Sequence, residues 1–201
     1  IHVILPVDEL EMEEIRHNPV NRCYLCKKHL FLSLKKFAKE KGVSALAEGT
    51  NEDDLHAYRP GIQAVQGLGI RSPLAEAGLT KEEVRRLADR LGISVAYRPS
   101  TPCMATRLPY GTPLDYEVLK KIEDGEEILR SRIGGNVRLR LHGDVVRIEA
   151  DRERFQDVLR QAGELTVELK RLGFVYVTLD LEGFRSGSMD VGIPAGIKVK
   201  K

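Results

Sequence analysis

Apolar and polar positions alternate in two different rhythms along this chain. Over residues 26–41, Leu30, Phe31, Leu34, Phe37 and Ala38 recur at helical spacing, and Gly42 follows as a stop signal. The short apolar run 43–47 predicts a strand, as do the runs 3–5 before it and 93–95 well after it. Residues 8–17 are polar, acidic and expected to be mobile, and residues 48–61 read as a polar loop. Thr80-Lys81-Glu82-Glu83 forms a capping box that opens the next helix. Val84, Leu87, Ala88 and Leu91 share one face of it, and Gly92 closes it. Short apolar runs alternating with helices predict an α/β layer with a parallel sheet, its loops open to a ligand.

The rhythm changes near residues 109–113. Asp115 can cap a helix reaching to about Arg132, which Gly134-Gly135 then break. Val137, Leu139 and Leu141 face one way on the next stretch, and Arg138, Arg140 and His142 the other. His142-Gly143-Asp144 turns the chain into a return strand, with Val146, Ile148 and Ala150 apolar against Val145, Arg147, Glu149 and Asp151. One helix is predicted over 152–172, followed by a last alternation through Val175, Val177, Leu179 and Leu181. The order α-β-β-α-β predicts a small α+β domain over residues 112–190, after an α/β domain over 1–111. Residues 191–201 read as a loose basic tail.

Composition narrows the function classes. With 201 residues, 42% hydrophobic and 31% charged, the chain has material for a real core and no disorder signature. Its apolar runs are too short for a membrane span, and no stretch reads as a signal peptide, which points to the cytoplasm. A formal charge of +2 gives no argument for a nucleic-acid or membrane surface. Three cysteines, an odd number, favour metal binding or catalysis over a disulfide framework. The chain opens on Ile1 as if a strand were already under way, so an N-terminal portion is expected ahead of it.

Cys23 and Cys26 stand in a Cys-x-x-Cys pair, which brings two thiolates to one metal, and Lys27 and Lys28 favour the thiolate form. Cys103 is distant in sequence and supplies a third thiolate if the fold gathers it. Zinc in a closed site would take His29 as fourth ligand, whereas an iron–sulfur cluster can use three cysteines and leave one iron open. Spacing does not decide between them. Gly49-Thr50-Asn51-Glu52-Asp53-Asp54 follows a predicted strand, where Asn51, Asp53 and Asp54 can meet a nucleotide or its Mg2+, or simply form an Asx-rich turn. Arg107 is either a phosphate reader or a salt-bridged hinge residue. Arg138 and Arg140, two apart on one strand, leave the same face roughly 6.6 Å apart, a spacing suited to phosphate and equally to a solvated sheet face. Glu149 lies on the polar face of the neighbouring strand, and Glu126 and Asp157 sit mid-helix.

Several ordered stretches together resemble the LarE family. They are Asn18-Pro19-Val20-Asn21-Arg22-Cys23-Tyr24-Leu25-Cys26-Lys27, Gly49-Thr50-Asn51-Glu52-Asp53-Asp54, Tyr58-Arg59-Pro60-Gly61, Arg71-Ser72-Pro73-Leu74, 103–111 and 179–189. The resemblance implies an ATP-dependent sulfur transferase of the PP-loop ATP pyrophosphatase superfamily, a Rossmann-like parallel-sheet domain whose glycine- and serine-rich pyrophosphate loop precedes Ile1. It implies adenylylation of a pyridinium dicarboxylic acid mononucleotide and its conversion to a thiocarboxylate, in nickel-pincer nucleotide biosynthesis for lactate racemase. ATP, Mg2+, a small-molecule nucleotide substrate and a homo-oligomeric enzyme are implied with it. The pair Cys23 and Cys26 beside Cys103 resembles the branch holding a 4Fe-4S cluster on three cysteines, with His29 an ordinary helix residue. By the same resemblance Asn51, Asp53, Asp54, Arg59, Arg107, Arg138 and Arg140 are nucleotide- or substrate-binding, and Cys103, Lys27, Glu126, Glu149 and Asp157 surround the reacting centre. Ala57 stands where the family often has aspartate, which puts a role for that part of the loop in doubt. A cluster-bearing PP-loop tRNA thiolase is the neighbouring alternative, against which the lack of basic excess argues. A zinc-binding nucleotide-sensing module is the alternative outside enzymes.

Overall fold

The computed structural model describes residues 2–57, 59–98, 102–191 and 193 of a mixed α/β chain. It divides into two compact units. Of the described residues, one contains 2–15 and 19–98, and the other contains 16–18, 102–191 and 193. The division thus falls ahead of Pro102 rather than after Gly111. The expected tail over 191–201 lies outside the described residues except for Val191 and Ile193.

The first unit is helical among its described residues. It comprises α1 (Glu13–Arg16, which reaches one residue into the second unit), α2 (Arg22–Glu40), α3 (Glu52–Leu55), α4 (Pro60–Gly67), α5 (Pro73–Glu76) and α6 (Lys81–Arg90). α2 starts four residues before the apolar periodicity does, so Cys23 and Cys26 belong to its first turns, and Gly42 (φ 69°) follows its end. α6 carries the reciprocal Thr80–Glu83 capping box that its sequence predicts. Phe31, Val65 and Ile70 form the core where α2 meets α4, with Leu34, Leu46 and Leu68 packed around them. Gly61 lets the two helices approach, since a Cβ there would sit 3.1 Å from Cγ of Lys27 and 3.3 Å from the carbonyl of Cys23.

The parallel strands expected at 3–5, 43–47 and 93–95 do not form among the described residues. Ala47 makes only an isolated parallel bridge to Arg71, and residues 94–97 are turns. Parallel strands are stable when both faces are covered, and here Val3, Ile4, Val43, Ile93 and Val95 are all exposed. The segments read as plain loops contain structure instead: a 3-10 turn at Glu9–Glu11, the short α1, and α3 inside the 48–61 loop. Short helices held by their caps leave little apolar periodicity to read.

The second unit follows its predicted order closely. Asp115 accepts hydrogen bonds from the backbone of Glu117 and Val118 and starts α7 (Tyr116–Ile133), which ends at Gly134 (φ 64°). β1 (Val137–His142) pairs antiparallel with β2 (Val145–Ala150), and β2 pairs parallel with β3 (Tyr176–Leu179), in the order β1-β2-β3. The register sets Val137 opposite Ala150, Leu139 opposite Ile148 and Leu141 opposite Val146, which gathers the apolar side chains on one face. The crossover from β2 to β3 is not the single helix expected. It is a 3-10 turn at Arg152–Arg154, α8 (Phe155–Arg160) and α9 (Ala162–Arg171), interrupted at Gln161, whose side-chain amide donates to the carbonyls of Arg132 and Asp157. Ile122, Leu129, Leu139, Leu165 and Leu169 build the core between α7, α9 and the sheet.

Residues 16–18 belong here because of Asn18. It is fully buried, adopts a left-handed backbone (φ 49°), and donates from Nδ2 to the carbonyl of Pro109 at 2.9 Å and more weakly to those of Leu108 and Ala105. Its own carbonyl accepts from Gly111 N at 3.0 Å. These bonds tie the 102–111 segment to the second unit.

Gly125, inside α7, yields a prediction of sign. In an open helix Gly→Ala stabilises by about 1 kcal/mol. Here the added Cβ would lie 2.5 Å from Cδ1 of Leu139 and 3.1 Å from Cδ2 of Leu169, both buried side chains. Overpacking of this kind costs about 1–3 kcal/mol. Gly125→Ala is therefore expected to lower the stability measured by urea unfolding, and a gain would show that the core yields freely.

Candidate active site

In the first unit, the Cys-x-x-Cys pair lies one turn apart on α2, with Cys23 exposed and Cys26 half-buried. Lys27, between the pair and α4, makes an ion pair with Glu48 at 3.3 Å and holds its ammonium 5.5 Å from the Phe31 ring centroid. Burial pulls the Glu48 carboxyl upward, but hydrogen bonds from Thr50 and Ser72, with the charge of Lys27, outweigh it and hold the group below the usual carboxylate range.

The acidic loop is committed to capping. Asn51 and Asp54 form a reciprocal capping box on α3, Asp54 also pairs with Arg59 at 2.8 Å, and Asp53 accepts from the backbone of Lys81 at 2.7 Å. This geometry accounts for all four side chains as local structure, while Tyr58 beside them lies outside the described residues.

In the second unit, the 3-10 turn Met104–Arg107, α7 and β1 meet on one buried ion pair. Arg107 is 1% exposed and Glu126 2%. Arg107 grips the carboxylate with two N–H groups, Nε to Oε1 at 2.7 Å and Nη2 to Oε2 at 3.1 Å. Leu139 N of β1 also donates to Oε1, at 3.0 Å, and Arg130 reaches Oε2 at 3.4 Å. The remaining nitrogen of Arg107 donates to Thr106 Oγ1 at 2.9 Å and weakly to the carbonyls of Pro102 and Cys103, both at 3.4 Å. Of the two sequence readings for Arg107, the structure displays the salt-bridged one. Cys103 caps the turn and is exposed, so the loop that carries its thiol is anchored through its backbone.

A second buried carboxylate organises the polar sheet face. Glu149 is fully buried; its Oε2 accepts from Arg140 at 3.0 and 3.1 Å, and its Oε1 from Arg147 at 3.0 Å and Ser188 Oγ at 2.6 Å. Arg140 also donates to the carbonyl of Thr106 at 2.8 Å. Glu126 and Glu149 therefore hold arginines in place, and both oxygens of each accept hydrogen bonds. Arg147, on the polar side of the β2 alternation, and Ser188, within the 179–189 motif, are not among the residues to which the sequence assigns a role.

Arg138 differs from its neighbours. It is half-buried, it donates to the adjacent carbonyl of Val137 at 2.6 Å, and it pairs with no carboxylate among the described residues. Burial lowers its pKa from the ordinary arginine value, and the positive charge of Arg107 adds to that. A cation desolvated beside other cations gains from an incoming anion. Asp157, by contrast, stays on its own stretch of chain, held below the ordinary aspartate range by hydrogen bonds from Arg160 and then Arg154. The structure joins Arg107, Glu126, Arg138, Arg140 and Glu149, and leaves Asp157 outside that group.

Cys23 and Cys26 lie one helical turn apart at the start of α2 in the first unit, and Cys103 belongs to the second. Among the described residues no group of three or more His, Cys, Asp or Glu side chains is already assembled to hold a metal ion. The carboxylates considered for Mg2+ accept hydrogen bonds or ion pairs from backbone or arginine donors. No helix of the described residues is long and apolar enough to cross a membrane.

Unequal losses of stability are expected for the two kinds of site residue. Glu126→Gln breaks a buried pair and is expected to cost about 3 kcal/mol or more. Arg138→Gln is expected to cost less than about 1 kcal/mol. Urea unfolding of both variants checks this, and equal losses would make Arg138 a structural cation.

No family model matches the chain. Curated relatives do. An uncharacterised protein of Synechocystis sp. is 40% identical over 192 residues, 94% of this chain and 71% of that protein. The pyridinium-3,5-bisthiocarboxylic acid mononucleotide synthase of Lactiplantibacillus plantarum is 37% identical over 184 residues, 92% of this chain and 67% of the synthase. An uncharacterised protein of Methanocaldococcus jannaschii is 33% identical over 177 residues, 88% of this chain and 69% of that protein. With two thirds or more of each relative covered, and with the synthase among them, the chain belongs to the LarE family.

Proposed function

We propose that this protein is an ATP-dependent sulfur transferase acting in nickel-pincer cofactor biosynthesis, which adenylylates a carboxylate of a pyridinium dicarboxylate mononucleotide and converts it to a thiocarboxylate. The likeness to the synthase along nearly the whole chain carries this reading. The arginine-rich sheet face supports it, because Arg138 is a desolvated cation without a carboxylate partner among the described residues.

A substrate carboxylate oxygen attacks the α-phosphorus of ATP, which enters as its magnesium complex, and pyrophosphate leaves. Sulfur then bonds to the acyl carbon as the bond to AMP breaks. Adenylate is a good leaving group, so this displacement needs no strong base, which accords with Glu126 and Glu149 being saturated by donors. Their work is to aim arginines: Glu149 holds Arg140, which with Arg138 balances phosphate charge, and Glu126 holds Arg107, which fixes the loop bearing Cys103. The PP-loop domain and its pyrophosphate loop, as implied by the family, grip the ATP phosphates. Cys23, Cys26 and Cys103 would hold a 4Fe-4S cluster, which leaves one iron free to carry an extra sulfide. The active form is a homo-oligomer in the cytoplasm.

Anaerobic purification with iron and acid-labile sulfide analysis is the first test. Alanine at any one of Cys23, Cys26 or Cys103 is expected to remove most of the iron, and a full complement in Cys103→Ala would show that this cysteine is no ligand. Zinc without iron or sulfide would turn the site into a structural one. The second test is turnover by the full-length protein supplied with ATP and sulfide, followed by intact mass spectrometry. Cys103 is expected to survive several turnovers unchanged. Stoichiometric loss of the elements of hydrogen sulfide from its peptide would make that residue a sacrificial sulfur donor.

A further inference from the structure

The segment after β3 has no part in the reading above, yet it is fastened across the polar sheet face. Beyond Leu179 it keeps hydrogen bonding to β2, with Asp180 N donating to the carbonyl of Ile148 at 2.8 Å and Phe184 N to that of Ala150 at 2.7 Å. Gly183 makes the bend between them at φ 76°, where a Cβ would come within 3.0 Å of the Ala150 carbonyl oxygen. Further on, Ser188 is hydrogen-bonded to Glu149, and the Tyr110 hydroxyl donates to Asp190 at 2.7 Å. Between these anchors the ring of Phe184 lies against Arg138, its centroid 5.3 Å from Cζ of the guanidinium.

We infer that Phe184 is a positioning residue whose ring holds the Arg138 guanidinium so that its N–H groups meet a phosphate group of the nucleotide. The inference rests on the reading of Arg138 as an anion reader and adds what orients it. Arg140 and Arg147 are each held by the Glu149 carboxylate, and Arg147 also pairs with Asp180 at 3.4 Å. Arg138 is held differently. An aromatic face attracts the cation through its quadrupole but leaves the formal charge unspent. It also leaves the in-plane donors available, whereas a carboxylate would occupy them and compete with an incoming phosphate. A ring therefore orients this arginine without disarming it. Burial, which lowers the pKa of Arg138, sharpens the same preference for an anion. A leucine at position 184 would fill much of the space and supply neither the quadrupole nor the flat surface.

A double-mutant cycle on binding tests this. Isothermal titration with AMP, and separately with inorganic phosphate, would compare Phe184→Leu, Phe184→Tyr, Arg138→Gln and Phe184→Leu combined with Arg138→Gln. Phe184→Leu is expected to weaken AMP binding about three- to tenfold, in line with a partly desolvated cation–π contact, and Phe184→Tyr to stay within about twofold. In the Arg138→Gln background Phe184→Leu is expected to change nothing further. The Arg138 Nε–H resonance should move in Phe184→Leu and hold in Phe184→Tyr. Phe184→Met takes the place of Phe184→Leu if the latter does not fold. Parental affinity in Phe184→Leu alongside weakened binding in Arg138→Gln would overturn the positioning role and leave the phosphate site standing. The same loss from Phe184→Leu with and without Arg138 would reduce Phe184 to packing, also overturning it. Parental affinity in Arg138→Gln would instead remove the phosphate reading on which the inference rests.

Discussion

The second unit is organised around one carboxylate. Glu126 reaches inward from α7 and is met by the side chain of Arg107 and the backbone N–H of Leu139, so a helix, a 3-10 turn and a strand share a single charged centre. The Leu139 contact is informative. An amide on an edge strand ordinarily looks to water, and here it is satisfied by a buried anion, which fixes where β1 sits against α7. A buried pair is weak evidence of net stability, because desolvation of both ions offsets their attraction. What it supplies is position: Arg107 comes to rest where its third nitrogen steadies the backbone on which Cys103 is mounted.

The electrostatics of the sheet face follow from the supply of carboxylates. Glu126 serves Arg107 and Arg130, and Glu149 serves Arg140 and Arg147. With Glu127 beside Arg130 and Asp180 beside Arg147, five arginines meet four carboxylates, and Arg138 is the one that pairs with none among the described residues. A phosphate bound there, as proposed above, would offset the cost of desolvating that cation.

Much of the second unit was legible in the sequence because its signals are local and periodic. The Asp115 cap, the Gly134 stop and the strict alternation of β1 and β2 each specify geometry within a few residues. The first unit was less legible. Its apolar runs at 43–47 and 93–95 have strand composition, but a parallel strand is made by neighbours, and among the described residues those neighbours are absent. The site divides the same way. Alternation placed Arg138 and Arg140 on one face, whereas nothing along the chain marks Glu126 as a partner for Arg107, because that contact depends on packing. Asn51, Asp53 and Asp54 illustrate the converse: the residue types that suit a magnesium nucleotide also suit helix caps, and capping is what the geometry displays. Membership of the LarE family came from motif order across the chain and was sustained by its relatives.

Asn18 gives the chain an unusual topology. Because its amide is bonded to carbonyls between Ala105 and Pro109, the second unit is not contiguous: a short early piece is embedded in it, and the first unit is largely an insertion between the two. Closing so long a loop costs entropy that grows with the logarithm of its length. If the insertion is still a random coil, the search for Asn18 is slow; once it has folded, its ends are no longer independent and the effective loop is shorter. Translation order then favours the same sequence of events, since the insertion emerges from the ribosome before the rest of the unit that encloses it. The second unit would acquire its native loop last, and with it the backbone setting of Cys103.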